Sequence, residues 1–127
     1  MTYLLIIVFA VVAFFILMQL SITYQSNKQI GKTAPETPLI SESDTARPVL
    51  LYFHSPNCGA CKSMTPIIAE LAENNGNVIS IDASQSLETA RAYNVRGTPT
   101  IIQVKEGKIA KVLLGAQSQE TLKHLLT

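Results

Sequence analysis

The only two cysteines in the chain are Cys58 and Cys61, and only two residues lie between them. A pair this close cannot staple distant parts of a fold as a secreted disulfide framework does. Its purpose is local: opening and closing a disulfide, or holding a metal. Two buried structural cysteines are the plainer alternative, but the pair lies in a Cys-x-x-Cys loop bounded by Pro56 and Lys62, a setting in which thiols become reactive. His54, just ahead of the loop, could add positive charge near the thiols or simply pack at a strand end. With Cys58 and Cys61 it would also offer three metal ligands. A closed zinc site needs a fourth ligand, and the chain offers no obvious one; copper(I) needs fewer, so copper binding or delivery through Cys58, Cys61 and His54 stands as a rival reading. No cofactor is expected.

The elements around the pair follow from period. Val49 to Phe53 is a short apolar run between Pro48 and the His54-Ser55-Pro56 stop, which predicts a strand buried on both faces. After the cysteines, Met64, Ile67, Ile68 and Leu71 recur at helical spacing, and Asn74, Asn75 and Gly76 end the segment. The cysteines therefore open a helix. Val78, Ile79 and Ile81 predict a second strand, and Leu87 to Tyr93 a short helix with Leu87 and Ala90 among its apolar positions. Strand, helix, strand implies a parallel pair. Thr100 to Val104 and Ile109 to Leu114 flank the Gly107 turn as an antiparallel hairpin. Ser118 then reads as the N-cap of a terminal helix with Glu120 in its first turn and Leu122, Leu125 and Leu126 on one face. The order predicts an α/β sandwich, a mixed sheet with helices on both sides.

A thiol in the first turn of a helix faces unpaired N–H groups and the positive end of the helix dipole, which favour thiolate. Cys58 is thus the expected nucleophile, since only thiolate attacks a disulfide. Cys61, nearly a turn deeper, would resolve the mixed disulfide and release the substrate.

The stretch Ser55-Pro56-Asn57-Cys58-Gly59-Ala60-Cys61-Lys62, with Met64 and Pro66 after it, resembles the active-site helix of the thioredoxin family. Val95-Arg96-Gly97-Thr98-Pro99-Thr100 is similar to that family's cis-proline loop, and Lys105-Glu106-Gly107 with Gly115-Ala116 is a third match. The resemblance covers residues 49–126 and implies a thioredoxin-like three-layer domain over 48–127. It also implies disulfide exchange with protein disulfides and dithiols, an upstream redox partner, and a monomer. By the same resemblance, a cis Thr98–Pro99 bond would lie against the cysteines, with the Thr98 backbone hydrogen-bonding an extended substrate. The departures are equally specific. Gly59 and Ala60 keep the loop between the cysteines small but replace the family's usual Gly-Pro, which tunes reduction potential. Asn57, a candidate substrate contact, stands where most members carry Trp. Tyr52 stands where they place a buried Asp that helps deprotonate the resolving thiol, which predicts slower resolution through Cys61. The direction of electron flow stays open.

Ahead of the domain, Tyr3 to Met18 is uninterrupted apolar sequence that continues past Gln19 to Ile22. Residues 3–22 as a helix, at about 1.5 Å per residue, span the roughly 30 Å hydrocarbon layer, which predicts a single-pass anchor. A cleaved signal peptide is the alternative, disfavoured by the length of the run and by the lack of Lys or Arg ahead of it. Lys28 and Lys32 follow the run, and the positive-inside tendency then places the domain on the cytoplasmic face, the opposite face staying open. Residues 23–47, polar and carrying Pro35 and Pro38, read as a flexible linker, with a short strand conceivable around Leu39 and Ile40. A net charge of +1 with no basic cluster argues against nucleic-acid binding.

Overall fold

The structure, a computed structural model, describes residues 1–36, 38, 40 and 46–127. Its elements run α1 (Thr2–Asn27), β1 (Val49–His54), α2 (Gly59–Asn74), β2 (Val78–Asp82), α3 (Leu87–Ala92), β3 (Thr100–Lys105), β4 (Lys108–Leu114) and α4 (Gln119–Leu125). The four strands lie in the order β2-β1-β3-β4. β1 is parallel to β2 and antiparallel to β3, and β3 and β4 form the hairpin. Its turn holds Glu106 and Gly107 at φ 53° and 72°, two successive positive values that match the right-handed twist of the flanking strands.

Alternation along β1 separates the two layers. Val49, Leu51 and Phe53 face one side, where they cluster with Ile102, Val104, Ala90 and Tyr93. Leu50 and Tyr52 face the other, against Met64, Ile68 and Leu71 of α2 and Leu122 and Leu125 of α4. β1 thus contributes to both layers, as β3 does through Ile101 on one side and Ile102 and Val104 on the other, and Val49 to Phe53 of β1 are all buried. Leu87 departs from its expected place: it is 54 % exposed, because α3 is so short that only Ala90 turns inward.

A second departure concerns the stretch expected to be a flexible linker. α1 continues to Asn27, and the chain beyond it then docks. Gly31 N–H donates to Ile109 O (2.7 Å), Ile109 N–H to Lys32 O (2.9 Å) and Ala34 N–H to Gly107 O (2.8 Å). Gln29 is buried and its Nε2 donates to Asn94 O (3.5 Å), while the Tyr93 hydroxyl donates to Pro35 O (3.1 Å). The physical reason is the outer edge of β4, which among the described residues has no further strand of the sheet beside it. Residues 31–34 pair through the backbone with Ile109 of that edge and with Gly107 just ahead of it, so no side-chain pattern announces the pairing. The strand read around Leu39 and Ile40 falls partly outside the described residues.

The strap gives a local prediction. Gly31 sits at φ 86°, which proline cannot adopt. Gly31→Pro should release residues 31–34 and raise amide exchange at Ile109, whose donor bond to Lys32 is lost, by an amount equivalent to about 1 kcal/mol. Unchanged protection at Ile109 would show that the strap is not held there.

Candidate active site

β1 ends at His54, and Ser55-Pro56-Asn57 carries the chain to Cys58, which is the N-cap of α2 with extended backbone (φ −89°, ψ 109°). Its Sγ accepts a hydrogen bond from Cys61 N–H at 3.2 Å. A side-chain acceptor at the N-cap satisfies one of the four orphan donors of a helix start, and here that acceptor is sulfur. The structure holds the pair as a disulfide, with Sγ–Sγ 2.17 Å and Cα–Cα 5.2 Å. Cys58 is half-buried and Cys61 only 3 % exposed, so a partner's sulfur meets Cys58 first. Asn57, Gly59 and Ala60 are exposed beside it, and an added Cβ on Gly59 would meet nothing within 4 Å. The approach to Cys58 is open.

The loop ahead of β3 comes to the same end of the sheet, because Phe53 at the end of β1 pairs with Thr100 at the start of β3. The Thr98–Pro99 peptide is cis and Pro99 is fully buried. Three contacts fasten this loop. Thr98 Oγ1 and Ser55 Oγ share a hydrogen bond (3.1 Å), Thr100 Oγ1 donates to Gly97 O (2.6 Å), and Gly115 N–H donates to Pro99 O (2.8 Å). Gly115 has φ 89°, a conformation glycine adopts at no steric cost. The Ser55–Thr98 bond ties the cysteine loop to the proline loop. Sequence reasoning passed over Ser55; its only signal was a hydroxyl at the strand exit.

Tyr52 is 2 % exposed, with its ring stacked on His54 (5.3 Å between centroids, 24° between planes) and its hydroxyl donating to Cys61 O (3.3 Å). Thr65 Oγ1 donates to the same carbonyl (2.9 Å). Burial pushes the Tyr52 hydroxyl above its ordinary 10.0, against a smaller lowering from its hydrogen bond with the Thr65 side chain. The stability this contributes is fully present below pH 10.0 and is lost as pH rises through the higher folded-state value, because ionisation is easier in the unfolded chain. Tyr52→Phe should therefore flatten part of the alkaline decline, checked by urea midpoints from about pH 9 to about pH 11. Asp82, the strand partner of His54, is held below its ordinary 3.8, chiefly by the hydroxyl and N–H of Ser84, with a smaller contribution from His54. Among the described residues, no three His, Cys, Asp or Glu side chains group as a metal site.

A family model described as Thioredoxin matches residues 38–127. The chain is 33 % identical over 81 residues to a thioredoxin of Bacillus subtilis, covering 61 % of this chain and 78 % of that one. It is 32 % identical over 101 residues to a thioredoxin of Mycoplasmoides gallisepticum, covering 78 % and 98 %. Among solved structures, a mutant thioredoxin from Halobacterium salinarum superposes with a TM-score of 0.63 at 30 % identity, over 74 % of this chain and 84 % of that one. The reduced Schistosoma mansoni thioredoxin pre-protein gives 0.60 at 30 % identity, over 67 % and 81 %.

Proposed function

Since the chain belongs to the thioredoxin family, and so to the thiol–disulfide oxidoreductases that act on protein disulfides with a redox partner, we propose that it works through Cys58 and Cys61 from a membrane anchor. The observation that carries the reading is the asymmetry of the pair. Cys58 caps α2 and is half-exposed, its sulfur hydrogen-bonded by Cys61 N–H, while Cys61 is buried. The cap bond and the helix dipole favour thiolate at Cys58, which attacks a substrate disulfide and forms a mixed disulfide. Cys61 then attacks the Cys58 sulfur, the substrate thiolate leaves, and the pair is left oxidised. Run backwards, the same steps oxidise a substrate dithiol.

Thr98 and Pro99 form the platform beside the pair, with Thr98 offering backbone hydrogen bonds to an extended substrate segment and Asn57 lining its edge. Gly59 and Ala60 leave room for that backbone. Residues 48–127 form the catalytic domain, acting as a monomer, and residues 3–22 the single-pass anchor. The anchor reading rests on Thr2–Ser21, a helix with mean hydropathy 2.8 and no part of it buried in the protein. Lys28 and Lys32 favour the cytoplasmic face for the domain.

The test is reduction of an insulin-type disulfide by the full chain in detergent with a dithiol donor. Turnover that scales with protein supports the reading. Absence of turnover together with stoichiometric copper(I) binding would overturn it in favour of the rival metal-delivery role for His54, Cys58 and Cys61.

A further inference from the structure

Ser55 follows the last residue of β1 and is joined to both halves of the site. On one side, Ser55-Pro56-Asn57-Cys58 closes as a tight turn, with Cys58 N–H donating to Ser55 O (3.2 Å). Proline holds φ at about −65°, the value that the second position of such a turn requires, so the step from Ser55 to Cys58 is stiff. On the other side, Ser55 Oγ and Thr98 Oγ1 share a hydrogen bond at 3.1 Å, a link across 43 residues of sequence. Thr98 is half-buried, and among the described residues its backbone N–H and C=O make no hydrogen bond. The next residue, Pro99, is buried, and its carbonyl accepts from Gly115 N–H (2.8 Å). With its hydroxyl engaged by Ser55, Thr98 has its backbone groups left to pair with an extended segment from another chain.

We propose that Ser55 is a positioning residue that sets the separation between the Cys58 sulfur and the Thr98 backbone, a role that rests on the reading of Cys58 as nucleophile and Thr98 as substrate platform. A substrate strand laid on Thr98 then brings its disulfide to Cys58 already aligned. Ser55 acts through its two neighbours, the turn to Cys58 and the hydroxyl bond to Thr98. Alignment of this kind matters because a misplacement of about 1 Å between reacting groups can cost on the order of 10²-fold in rate. Only a substrate that uses both the platform and the sulfur depends on it. A small disulfide with no peptide backbone meets Cys58 directly, beside the exposed Gly59 and Ala60.

The experiment mixes the reduced full chain in detergent with insulin or with dithiobis(nitrobenzoate), and follows a single turnover by acid quenching and mass spectrometry. In Ser55→Ala the rate with insulin should fall about 5-fold, the worth of one hydrogen bond, while the rate with dithiobis(nitrobenzoate) stays within about 2-fold of the unmodified chain. Ser55→Thr keeps a hydroxyl and should recover the insulin rate. Thr98→Val should show the same split between the two disulfides, and it decides the matter if Ser55→Ala does not fold. Ser55→Ala and Thr98→Val combined should lose no more than either alone, since both remove one shared bond. Equal losses with the two disulfides, no loss with either, or losses that multiply in the double variant overturn the positioning role. An unmodified chain that reacts with dithiobis(nitrobenzoate) but not with insulin overturns the Thr98 platform. One that reacts with neither overturns the assignment of the cysteine pair, and each of these two results removes the role of Ser55 with it.

Discussion

Cys58→Ser should abolish disulfide exchange, lowering turnover by several orders of magnitude, as expected when a covalent nucleophile is removed. A serine hydroxyl at the N-cap would still satisfy the Cys61 N–H that Cys58 Sγ now accepts, so the helix start survives and the loss is chemical. The hydroxyl stays protonated where a thiol ionises, and it forms no bond to sulfur that Cys61 could resolve. Cys61→Ser should behave differently. Cys58 remains half-exposed at the open end of the site, so the first attack proceeds and the chain accumulates as a mixed disulfide with its substrate. Mass spectrometry of the acid-quenched reaction separates the two: no adduct for Cys58→Ser, a stable adduct for Cys61→Ser. An adduct on Cys61 in the Cys58→Ser chain would reverse the assignment of roles.

Phe53→Ala should produce the largest loss of stability of any single truncation considered. Phe53 is fully buried on central strand β1, and its ring packs against Tyr93 at 5.8 Å between centroids. Removing a buried phenyl ring costs about 3 to 5 kcal/mol through lost transfer energy and the cavity left behind. A domain of this size has roughly 4 to 12 kcal/mol in total. Each kcal/mol moves the melting temperature of so small a domain by about 4 to 8 °C, so a fall of roughly 15 °C or more is expected, read by thermal unfolding of the full chain. Leu87→Ala is the matched control. Leu87 is 54 % exposed, and its truncation should stay within about 0.5 kcal/mol. A Phe53→Ala chain that melts like the control would mean that β1 is not the centre of the core.

Much of this molecule was readable from residue order because its signals are local. The buried run Val49–Phe53, the helical recurrence of Met64, Ile68 and Leu71, the Gly107 turn and the Ser118 cap each reflect the backbone preference or burial of a few neighbouring residues. Each reappears in the structure, Ser118 with its side chain accepting from Thr121 N–H. Leu87 misled because an apolar residue in a short helix points inward only if tertiary packing reaches it, and on α3 the packing reaches Ala90. The strap at residues 31–34 was invisible because an edge strand recruits backbone groups, which every residue carries.

Cys58 and Cys61 show the same division. Their spacing determined that they could close on one another, and the apolar recurrence after them that they would open a helix, since both facts depend only on neighbouring residues. What the tertiary structure decided is everything that acts on them from a distance in sequence. The Ser55–Thr98 bond, Pro99 packed at the same end of the sheet, and the Tyr52 hydroxyl on Cys61 with His54 stacked behind it arise only because β1 lies between β2 and β3. Tyr52 looked from its type alone like the loss of a proton acceptor. Packed in place its hydroxyl donates to the Cys61 carbonyl with a histidine stacked on its ring, because a side chain's contacts are set by the groups that folding brings around it.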